Sequence, residues 1–317
     1  MSAENAAANP AVTEAGGKKA AVIYNPSSGR ARGSTIAAAV EKQLAGRGIE
    51  CDLHATGYPK EAITLAERYA PEVDIVIAIG GDGTINEVAN GIAAARDKAG
   101  EAWHRPRLGI VPAGTVNVLA LDLHLPFRIE RACEVIAEGN SMALDLGRVN
   151  GHRFVLMMGA GIDALTVRNI DLQAKRRFKE LAFLGTGVKE VLAQPPAVFL
   201  VRTNGVEYHA TFFVAGNSRY YGGRFGVTTA ADPTDGILDL VIFTGTSRAA
   251  LGAFWLEVPS GLHLRNRNVL YLHSDRAEVF PLDDRGEPIW YQTDGELAGS
   301  LPATVEIDPH AIDVLVP

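Results

Sequence analysis

The distribution of apolar residues changes character near the middle of the chain. In the first half, three short apolar runs predict buried strands: 20–24 (AAVIY), 74–79 (DIVIAI) and 108–111 (LGIV). Two amphipathic stretches between them predict helices, one with Ile36, Val40 and Leu44 on a single face and one from about Ile85 to Arg96. Strands that alternate with helices predict an α/β domain with a parallel sheet.

After about Leu146, strand-like segments dominate and helices become rare. The predicted strands are 152–158, 197–203, 207–215, 237–243, 268–280 and 288–292. Two helical stretches, 173–192 and 247–257, interrupt them. Turn signals such as Asn204-Gly205 and Asp235-Gly236 separate several strands, which favours an antiparallel, β-rich second domain.

These patterns predict two domains after a disordered leader at 1–18. A parallel-sheet α/β domain is expected at 19–147, with 305–317 as a candidate addition to its sheet, and a β-rich domain at 148–304. The leader contains acidic residues and has no continuous apolar core, so it is not typical of a signal peptide.

Composition narrows the class of protein. The net charge of −7 argues against general affinity for nucleic acid, because backbone phosphates are bound by an excess of Lys and Arg. Cys51 and Cys133 suggest no disulfide framework, as expected in a reducing cytoplasm. No apolar run reaches the roughly 18 residues that a transmembrane helix needs.

The most informative turn is Gly80-Gly81-Asp82-Gly83-Thr84, which joins an apolar strand to a helix. Glycines let a polyphosphate approach the backbone, and the N–H groups at a helix N-terminus attract anions. The same letters would also suit a simple tight turn. Neither a Walker A sequence nor a full G-x-G-x-x-G is present. Two more turns, NPSSG and PAGT, also follow predicted strands, and ligands of parallel sheets gather at such carboxyl ends.

The longer string GGDGTINEVANGI (80–92) resembles the diacylglycerol kinase catalytic family, which also includes sphingosine and ceramide kinases and bacterial lipid kinases. The resemblance extends from about Lys19 to the C-terminus, in the family's order: YNPSSGR (24–30), the GGDGT string, VPAGTVNVLA (111–120), LDLGRVN (144–150), YYGGRFGVTTAADPTDGILDL (220–240) and QTDGE (292–296). It implies a two-domain fold, ATP in the cleft between the domains, and transfer of phosphate to a lipid hydroxyl.

The resemblance also implies which residues bind the nucleotide. They lie in the turns after the first strands: Asn25, Pro26, Ser27, Ser28, Gly29, Arg30, Thr56, Gly80, Gly81, Asp82, Gly83, Thr84, Asn86, Glu87 and Thr115. In addition, family members place a lysine near 175–179, where this chain has KRRFK. Arg30 occupies a position where family members often have Lys, and its planar guanidinium group keeps the positive charge.

For proton handling the resemblance points to Asp294, as general base on the lipid hydroxyl, and to Glu296 beside it. Without the resemblance, Asp294-Gly295 would indicate only a hairpin turn. Phosphoryl transfer has a loose transition state, so orienting the nucleophile matters more than basicity.

Two groups of acidic residues are implied to involve Mg²⁺. Asp82 and Asp145 resemble members of a magnesium–water network. Asp232 and Asp235, with the carbonyl of Ile237, resemble a separate structural magnesium site, and oxygen ligands suit this ion. A turn that caps a strand is the alternative for the second group.

Two other functions stay open. The first is that of an NAD kinase, which shares the GGDGT loop on a similar fold. The second is that of a nucleotide-binding protein that has lost catalysis. Val118 stands where many members have an acidic residue, which favours the latter, whereas Asp294 and Glu296 speak against it. The basic and apolar stretch 175–184 is expected either to rest peripherally on an anionic leaflet or to be a solvated helix face.

Overall fold

The computed structural model describes residues 17–26, 33–169, 196–221, 225–282, 286 and 288–317. Its α-helices are α1 Gly33–Ala45, α2 Glu61–Tyr69, α3 Asp82–Ala99, α4 Val118–Asp122, α5 Ile129–Glu138, α6 Ile162–Asn169 and α7 Arg248–Glu257. Short 3-10 helices cover Ala70–Glu72, Gly100–Ala102, Val258–Ser260 and Leu262–Arg265. None of the helices in these ranges is long and apolar enough to cross a membrane.

The strands form two main sheets and one small ribbon. In chain order they are β1 Lys18–Tyr24, β2 Ile49–Ala55, β3 Ile75–Gly80, β4 Arg107–Pro112, β5 Ser141–Val149, β6 His152–Phe154, β7 Met157–Gly161, β8 Phe199–Thr203, β9 Val206–Ala210, β10 Phe212–Gly216, β11 Tyr220–Tyr221, β12 Phe225–Gly226, β13 Leu238–Phe243, β14 Val269–Ser274, β15 Arg276–Pro281, β16 Trp290–Thr293, β17 Glu296–Ser300 and β18 Ala303–Leu315.

The first half forms the predicted parallel sheet, with strands in the order β2-β1-β3-β4. Every residue of β3 is buried, because helices cover both faces of the sheet. Helices α2 and α3 pack on one face, and α1 and α5 pack on the other. This arrangement places the turns after β1, β3 and β4 at a common edge.

The second half contains a six-stranded antiparallel sheet in the order β14-β13-β10-β7-β16-β17. One face packs against β8, β15 and β18 around Phe154, Phe199 and Phe213. Helix α7 covers part of the other face, where Phe254 lies against Phe212 and Phe243. The predicted combination of a parallel N-terminal sheet with an antiparallel C-terminal domain is confirmed.

Strand β18 joins the two halves. It pairs parallel with β4 and antiparallel with β5 and β15, so one ten-stranded sheet extends through both. The predicted boundary between residues 147 and 148 falls inside β5 (Ser141–Val149), and the domain limits stay a prediction.

Three predicted strands are each divided in two. The stretch 207–215 breaks at Thr211 between β9 and β10, and 268–280 breaks at Asp275 between β14 and β15; in both cases the two parts belong to different sheets. The stretch 152–158 breaks at Val155 and Leu156, whose N–H groups bond a side chain from another turn. The sequence does not reveal such corners, because strand-forming residues continue across each of them.

Helix α3 begins at Asp82, three residues before the predicted start, and the predicted helix at 247–257 is present as α7, with Ser247 accepting the N–H of Ala250. The predicted leader, except its last two residues, the helix at 173–192 and the basic stretch at 175–184 lie outside the described residues.

An ion-pair cluster centred on Asp308 holds β18 to helix α3 and to strands β5 and β6. The Oδ2 atom of Asp308 lies 2.7 Å from Arg96 Nη2, 2.9 Å from Arg153 Nε and 3.1 Å from Arg148 Nη2. Arg153 also lies 2.7 Å from Asp97. Burial opposes ionisation of Asp308, but Arg153 and Arg96 lower its pKa below the ordinary value.

Candidate active site

Two glycine-bearing turns adjoin at the carboxyl edge of the parallel sheet. Strand β3 ends at Gly80, and its carbonyl accepts the N–H of Ala113 at 2.8 Å and that of Gly114 at 3.1 Å. A Cβ on Gly114 would run into the Cα of Gly81, so this contact requires glycine. The GGDGT and PAGT turns therefore form one continuous backbone surface. Thr115, at its edge, is exposed and available to a ligand.

Asp82 is the first residue of α3, and its carboxyl group faces the start of α4. Burial raises its pKa, although the N–H groups of Val118, Leu119 and Asn117 oppose the rise. Its Oδ1 atom is buried and has no hydrogen-bond partner among the described residues. Such an atom is expected to find a partner in a bound water or cation.

The nucleotide turn touches the predicted general base through Asn86. The Nδ2 group of Asn86 donates to Oδ2 of Asp294 at 2.5 Å. Asn90, one helical turn further on, donates to the Oδ1 of Asn86 at 3.1 Å and thereby fixes which way the Asn86 amide points. The structure thus brings together residues that are 208 positions apart in the sequence.

Three consecutive backbone N–H groups also point at the Asp294 carboxylate. Val155 donates to Oδ2 at 2.8 Å, and Leu156 and Met157 both donate to Oδ1 at 2.9 Å. Burial raises the pKa of Asp294, and these hydrogen bonds, together with that of Asn86, oppose the rise. With four donors, the roughly four lone-pair positions of the carboxylate are all occupied.

Glu296 lies across from the nucleotide turn. It is exposed, and its Oε1 would be 3.9 Å from a Cβ placed on Gly83. Burial raises the pKa of Glu87, and the charge of Glu296 adds to the rise. Glu87 also accepts the N–H of Lys60 at 3.3 Å. Both predicted carboxylates therefore adjoin the GGDGT turn and its helix, Asp294 through its hydrogen bond with Asn86 and Glu296 through its approach to Gly83.

The first predicted nucleotide turn is described only in part. Asn25 and Pro26 are half-buried, and the first residue of α1 lies directly against the carbonyl of Asn25. Ser27, Ser28, Gly29 and Arg30 lie outside the described residues. Thr56, after β2, donates its N–H to the carbonyl of Tyr24 at 2.9 Å, which places it beside this turn. The structure therefore brings Asn25 and Thr56 to the same sheet edge as Gly80.

Asp145 is fully buried, and both oxygens of its carboxylate accept backbone N–H groups. Oδ2 bonds Gly236 at 2.7 Å, and Oδ1 bonds His310 at 2.6 Å. Among the described residues, no hydrogen bond or ion pair joins Asp145 to Asp82. Asp145 thus holds the 232–236 turn to an irregular part of β18, and its predicted role in a magnesium network stays a prediction.

Asp232 and Asp235 lie in an exposed turn before β13. Asp232 Oδ1 accepts the N–H of Thr234 at 3.1 Å and its hydroxyl at 2.7 Å, and Asp235 Oδ1 accepts the N–H of Ile237 at 3.0 Å. The part of the chain that the structure describes contains no group of three or more His, Cys, Asp or Glu side chains close enough to hold a metal ion. A site here would depend on backbone carbonyls and water as well.

Several residues near the site did not stand out in the sequence. Asp122 is buried at the end of α4, where it accepts the hydroxyl of Ser218 at 2.7 Å and pairs with Arg219 Nε at 2.9 Å. This contact links the helix after PAGT to the β-rich half. Asn90 could have been found from its spacing of four after Asn86 on one helix face, whereas nothing in the sequence pairs Asp122 with Ser218.

The α/β fold, with its glycine turns at the carboxyl edge of the parallel sheet, is typical of a phosphotransferase. Comparison with known proteins identifies the family. The profile described as "Diacylglycerol kinase catalytic domain" matches residues 19–149, and that described as "YegS C-terminal NAD kinase beta sandwich-like domain" matches residues 157–316.

Two curated relatives named diacylglycerol kinase come from Staphylococcus aureus. The protein of strain bovine RF122 / ET3-1 is 32% identical over 309 residues, and that of strain MRSA252 is 31% identical; each alignment covers 95% of this chain and 93% of the relative. A crystal structure of a diacylglycerol kinase from Bacillus anthracis str. Sterne superposes with a TM-score of 0.75 at 22% identity, covering 96% of this chain and 99% of that one.

This chain belongs to the diacylglycerol kinase family. The predicted resemblance is confirmed, and so is the prediction of a kinase that acts on a lipid. A kinase of this family uses ATP as its phosphate donor.

Proposed function

We propose that this protein transfers the γ-phosphate of ATP to the hydroxyl of diacylglycerol or a closely related membrane lipid, with Asp294 as the general base. The observation that carries the proposal is the hydrogen bond of 2.5 Å from Asn86, in the nucleotide-turn helix, to the Asp294 carboxylate. This contact puts the Asp294 carboxylate next to the turn that would hold the phosphates, which is the position that a general base requires. The names of the curated relatives support diacylglycerol as the acceptor.

The surroundings of Asp294 suit a base that is released when substrates bind. Burial raises its pKa, which makes the carboxylate a better proton acceptor. All its lone pairs are occupied, however, so one donor must withdraw before a lipid hydroxyl can bond to it. Of the four donors described here, Asn86 alone is a side chain, and a side chain can rotate where backbone N–H groups cannot.

The buried Oδ1 of Asp82 fits a role near Mg²⁺, because a cation or its water ligand would satisfy an atom that otherwise has no partner among the described residues. When bound, Mg²⁺ would neutralise charge on the phosphates. Val118, whose side chain is a hydrocarbon, supplies no carboxylate to such an ion, and it packs in the core instead.

A second, structural ion is proposed at the turn before β13. Asp232, Asp235 and the carbonyl of Ile237 are its proposed ligands. Asp145 would support this turn through its hydrogen bond with Gly236.

The nucleotide would lie along the surface formed by the GGDGT and PAGT turns. The N-terminus of α3 offers N–H groups to the phosphates, with Thr84 and Thr115 beside them. Because the acceptor is a membrane lipid, the enzyme would work at the cytoplasmic face of an anionic membrane. Contact through residues 175–184 stays a prediction.

The direct test is incubation of the purified protein with labelled ATP, Mg²⁺ and a total lipid extract, followed by identification of the labelled lipid. We expect label in phosphatidic acid, and a loss of at least about a hundredfold in rate for Asp294→Asn. Asp52→Asn, an exposed change on β2, is the matched control and should keep the parental rate. In a parallel reaction supplied with NAD, label in a water-soluble dinucleotide instead of a lipid would favour the NAD kinase alternative.

A further inference from the structure

The surface at the end of helix α7 combines exposed leucines with arginines. Leu256 is 71% exposed, Leu262 is 50% exposed and Leu264 is 37% exposed. Arg265 and Arg267 follow directly and are also exposed. We call these five residues the α7 patch.

Local packing explains why the leucines point outward. In α7, Leu251, Phe254 and Trp255 are buried against the six-stranded sheet, and this leaves Leu256 on the opposite side. In the next 3-10 helix, the side chain of His263 is buried, with Nε2 3.1 Å from the carbonyl of Val227. Its two neighbours, Leu262 and Leu264, are therefore directed to solvent.

The leucines and arginines lie close together because the chain folds back on itself. Asn266 Nδ2 donates to Oε2 of Glu257 at 2.8 Å, which brings the residues on either side of Asn266 to the end of α7. Arg265 and Arg267 flank Asn266, and Leu256 precedes Glu257. Single exposed leucines are common on protein surfaces, but a cluster of them marks a contact site.

The charge of the patch opposes that of the whole protein. The chain carries a net charge of −7, yet the segment 256–267 contains two arginines and a single acidic residue, Glu257. Within the described ranges, neither Arg265 nor Arg267 takes part in an ion pair. An apolar surface with unpaired guanidinium groups at its rim is complementary to the headgroups and acyl boundary of an anionic bilayer.

We propose that the α7 patch docks the protein on anionic membranes, with the three leucines in the headgroup boundary and the two arginines on lipid phosphates. This inference rests on the proposed lipid-kinase function, which requires access to a bilayer. The buried His263 ties the patch to Val227, just after β12. Strand β12 pairs with β11, and the preceding Ser218 and Arg219 contact Asp122 beside the nucleotide turns, so a docked patch is connected to the active site.

The test is co-sedimentation with vesicles of phosphatidylcholine alone and of phosphatidylcholine mixed with phosphatidylglycerol. For Arg265→Gln/Arg267→Gln we expect about thirtyfold weaker binding to the anionic vesicles, because each basic residue at the surface contributes about fivefold. Raised salt should weaken the parent but affect this variant less. For Leu256→Ser/Leu264→Ser we expect weaker binding to both vesicle types.

Matched controls are Arg128→Gln, which removes an exposed arginine from the other half, and Val206→Ser, which removes an exposed apolar side chain from the β8–β9 hairpin. Both should bind as the parent does. Parental binding by the patch variants would overturn the proposal. So would a change in self-association, measured by sedimentation velocity, with vesicle binding unchanged, because a second copy would then occupy the patch.

A second assay separates this proposal from the proposed function. On short-chain diacylglycerol dispersed in detergent, both patch variants should phosphorylate lipid at the parental rate while losing activity on vesicles. If the parent binds vesicles through the patch but phosphorylates no lipid in either form, the docking proposal stands and the kinase proposal fails. Loss of activity on dispersed lipid by the patch variants would contradict docking, since it would indicate a role in catalysis or folding.

Discussion

Asp294 has a left-handed backbone, with φ of 49°, and Gly295 follows with φ of 81°. The tight turn aims the Asp294 carboxylate inward at three backbone N–H groups, while its exposed neighbour Glu296 remains at the surface. This arrangement gives Asp294 two roles at once. It anchors the corner between β6 and β7, and it is the proposed base.

The first prediction separates these roles with Asp294→Asn. The amide keeps one oxygen and turns the other into an NH₂ group, which cannot accept the two donors that face it, so we expect a loss of about 1–3 kcal/mol in the free energy of unfolding. We also expect kcat to fall by about 10² to 10⁴ with the Kd for ATP nearly unchanged. Turnover within about threefold of the parent, on protein shown to be folded by circular dichroism, would leave Asp294 with the anchoring role alone.

The second prediction concerns the pH dependence of catalysis. Removal of the Asn86 donor by Asn86→Ala takes away one interaction that favours the charged carboxylate, so the pKa of Asp294 should rise further. The acidic limb of kcat/KM should therefore move to higher pH. Asn90→Ala, which leaves the Asn86 amide in place but frees it to turn, should move the limb in the same direction but less. An unchanged limb in both variants would contradict the assignment of this limb to Asp294.

At the scale of single residues, the sequence resemblance singles out Asp294 but not the groups that surround its carboxylate. Asp294 and Asn86 were both predicted as site residues, yet no pattern shows that they touch. Asp145 was predicted near a magnesium network, and the structure shows its carboxylate bonded to Gly236 and His310. Hydrogen bonds between residues distant in sequence depend on how the sheets pack, and the local sequence does not show that packing.

Among the elements, the two glycine turns depend most on exact backbone packing. The third prediction is that Gly114→Ala pushes the GGDGT and PAGT turns apart, because the new Cβ would meet the backbone of Gly81 and lie 2.8 Å from Asn117 Oδ1. We expect the KM for ATP to rise by about tenfold or more, together with a lower Tm. Gly46→Ala, where the nearest atom is 3.7 Å away, is the control. A parental KM and Tm for Gly114→Ala would show that the turns tolerate separation.

Elements of the parallel half were easier to predict than those of the antiparallel half. The strand Ile75–Gly80 is buried on both faces and ends at a glycine, so strand and turn are both visible in the sequence. In the second half, Thr211 turns the chain from one sheet to the other within the predicted strand 207–215, with its hydroxyl 2.7 Å from the carbonyl of Gly245. The corner depends on that distant carbonyl and therefore leaves no local signal.

For the molecule as a whole, the Asp308 cluster links both halves and gives the fourth prediction. Because Arg153 and Arg96 lower the pKa of Asp308 in the folded state, its contribution to stability is complete above the ordinary value of 3.8 and is lost as the pH falls through the folded pKa. Asp308→Asn should cost about 2 kcal/mol at neutral pH, since it weakens the charged hydrogen bonds of Arg96 and Arg153 and leaves Arg153 with Asp97 as its remaining ion-pair partner. The difference between variant and parent should shrink at pH values below 3.8.

Urea unfolding of parent and variant across this pH range measures the effect. Asp275→Asn, an exposed change at the corner between β14 and β15, is the control and should follow the parent at every pH. A constant difference between Asp308→Asn and the parent over the whole range would contradict the assigned pKa direction.

Strand β18 comes last in chain order among the strands of the described residues, yet it lies between β4 and β15 in the middle of the ten-stranded sheet. During synthesis, the backbone groups on one edge of β4 therefore stay unpaired until residues 303–315 emerge from the ribosome. Pairings over such long sequence separations slow folding and expose unpaired edges to other chains in the meantime. The same closure makes the halves interdependent, so that heat or denaturant should melt them in a single cooperative step.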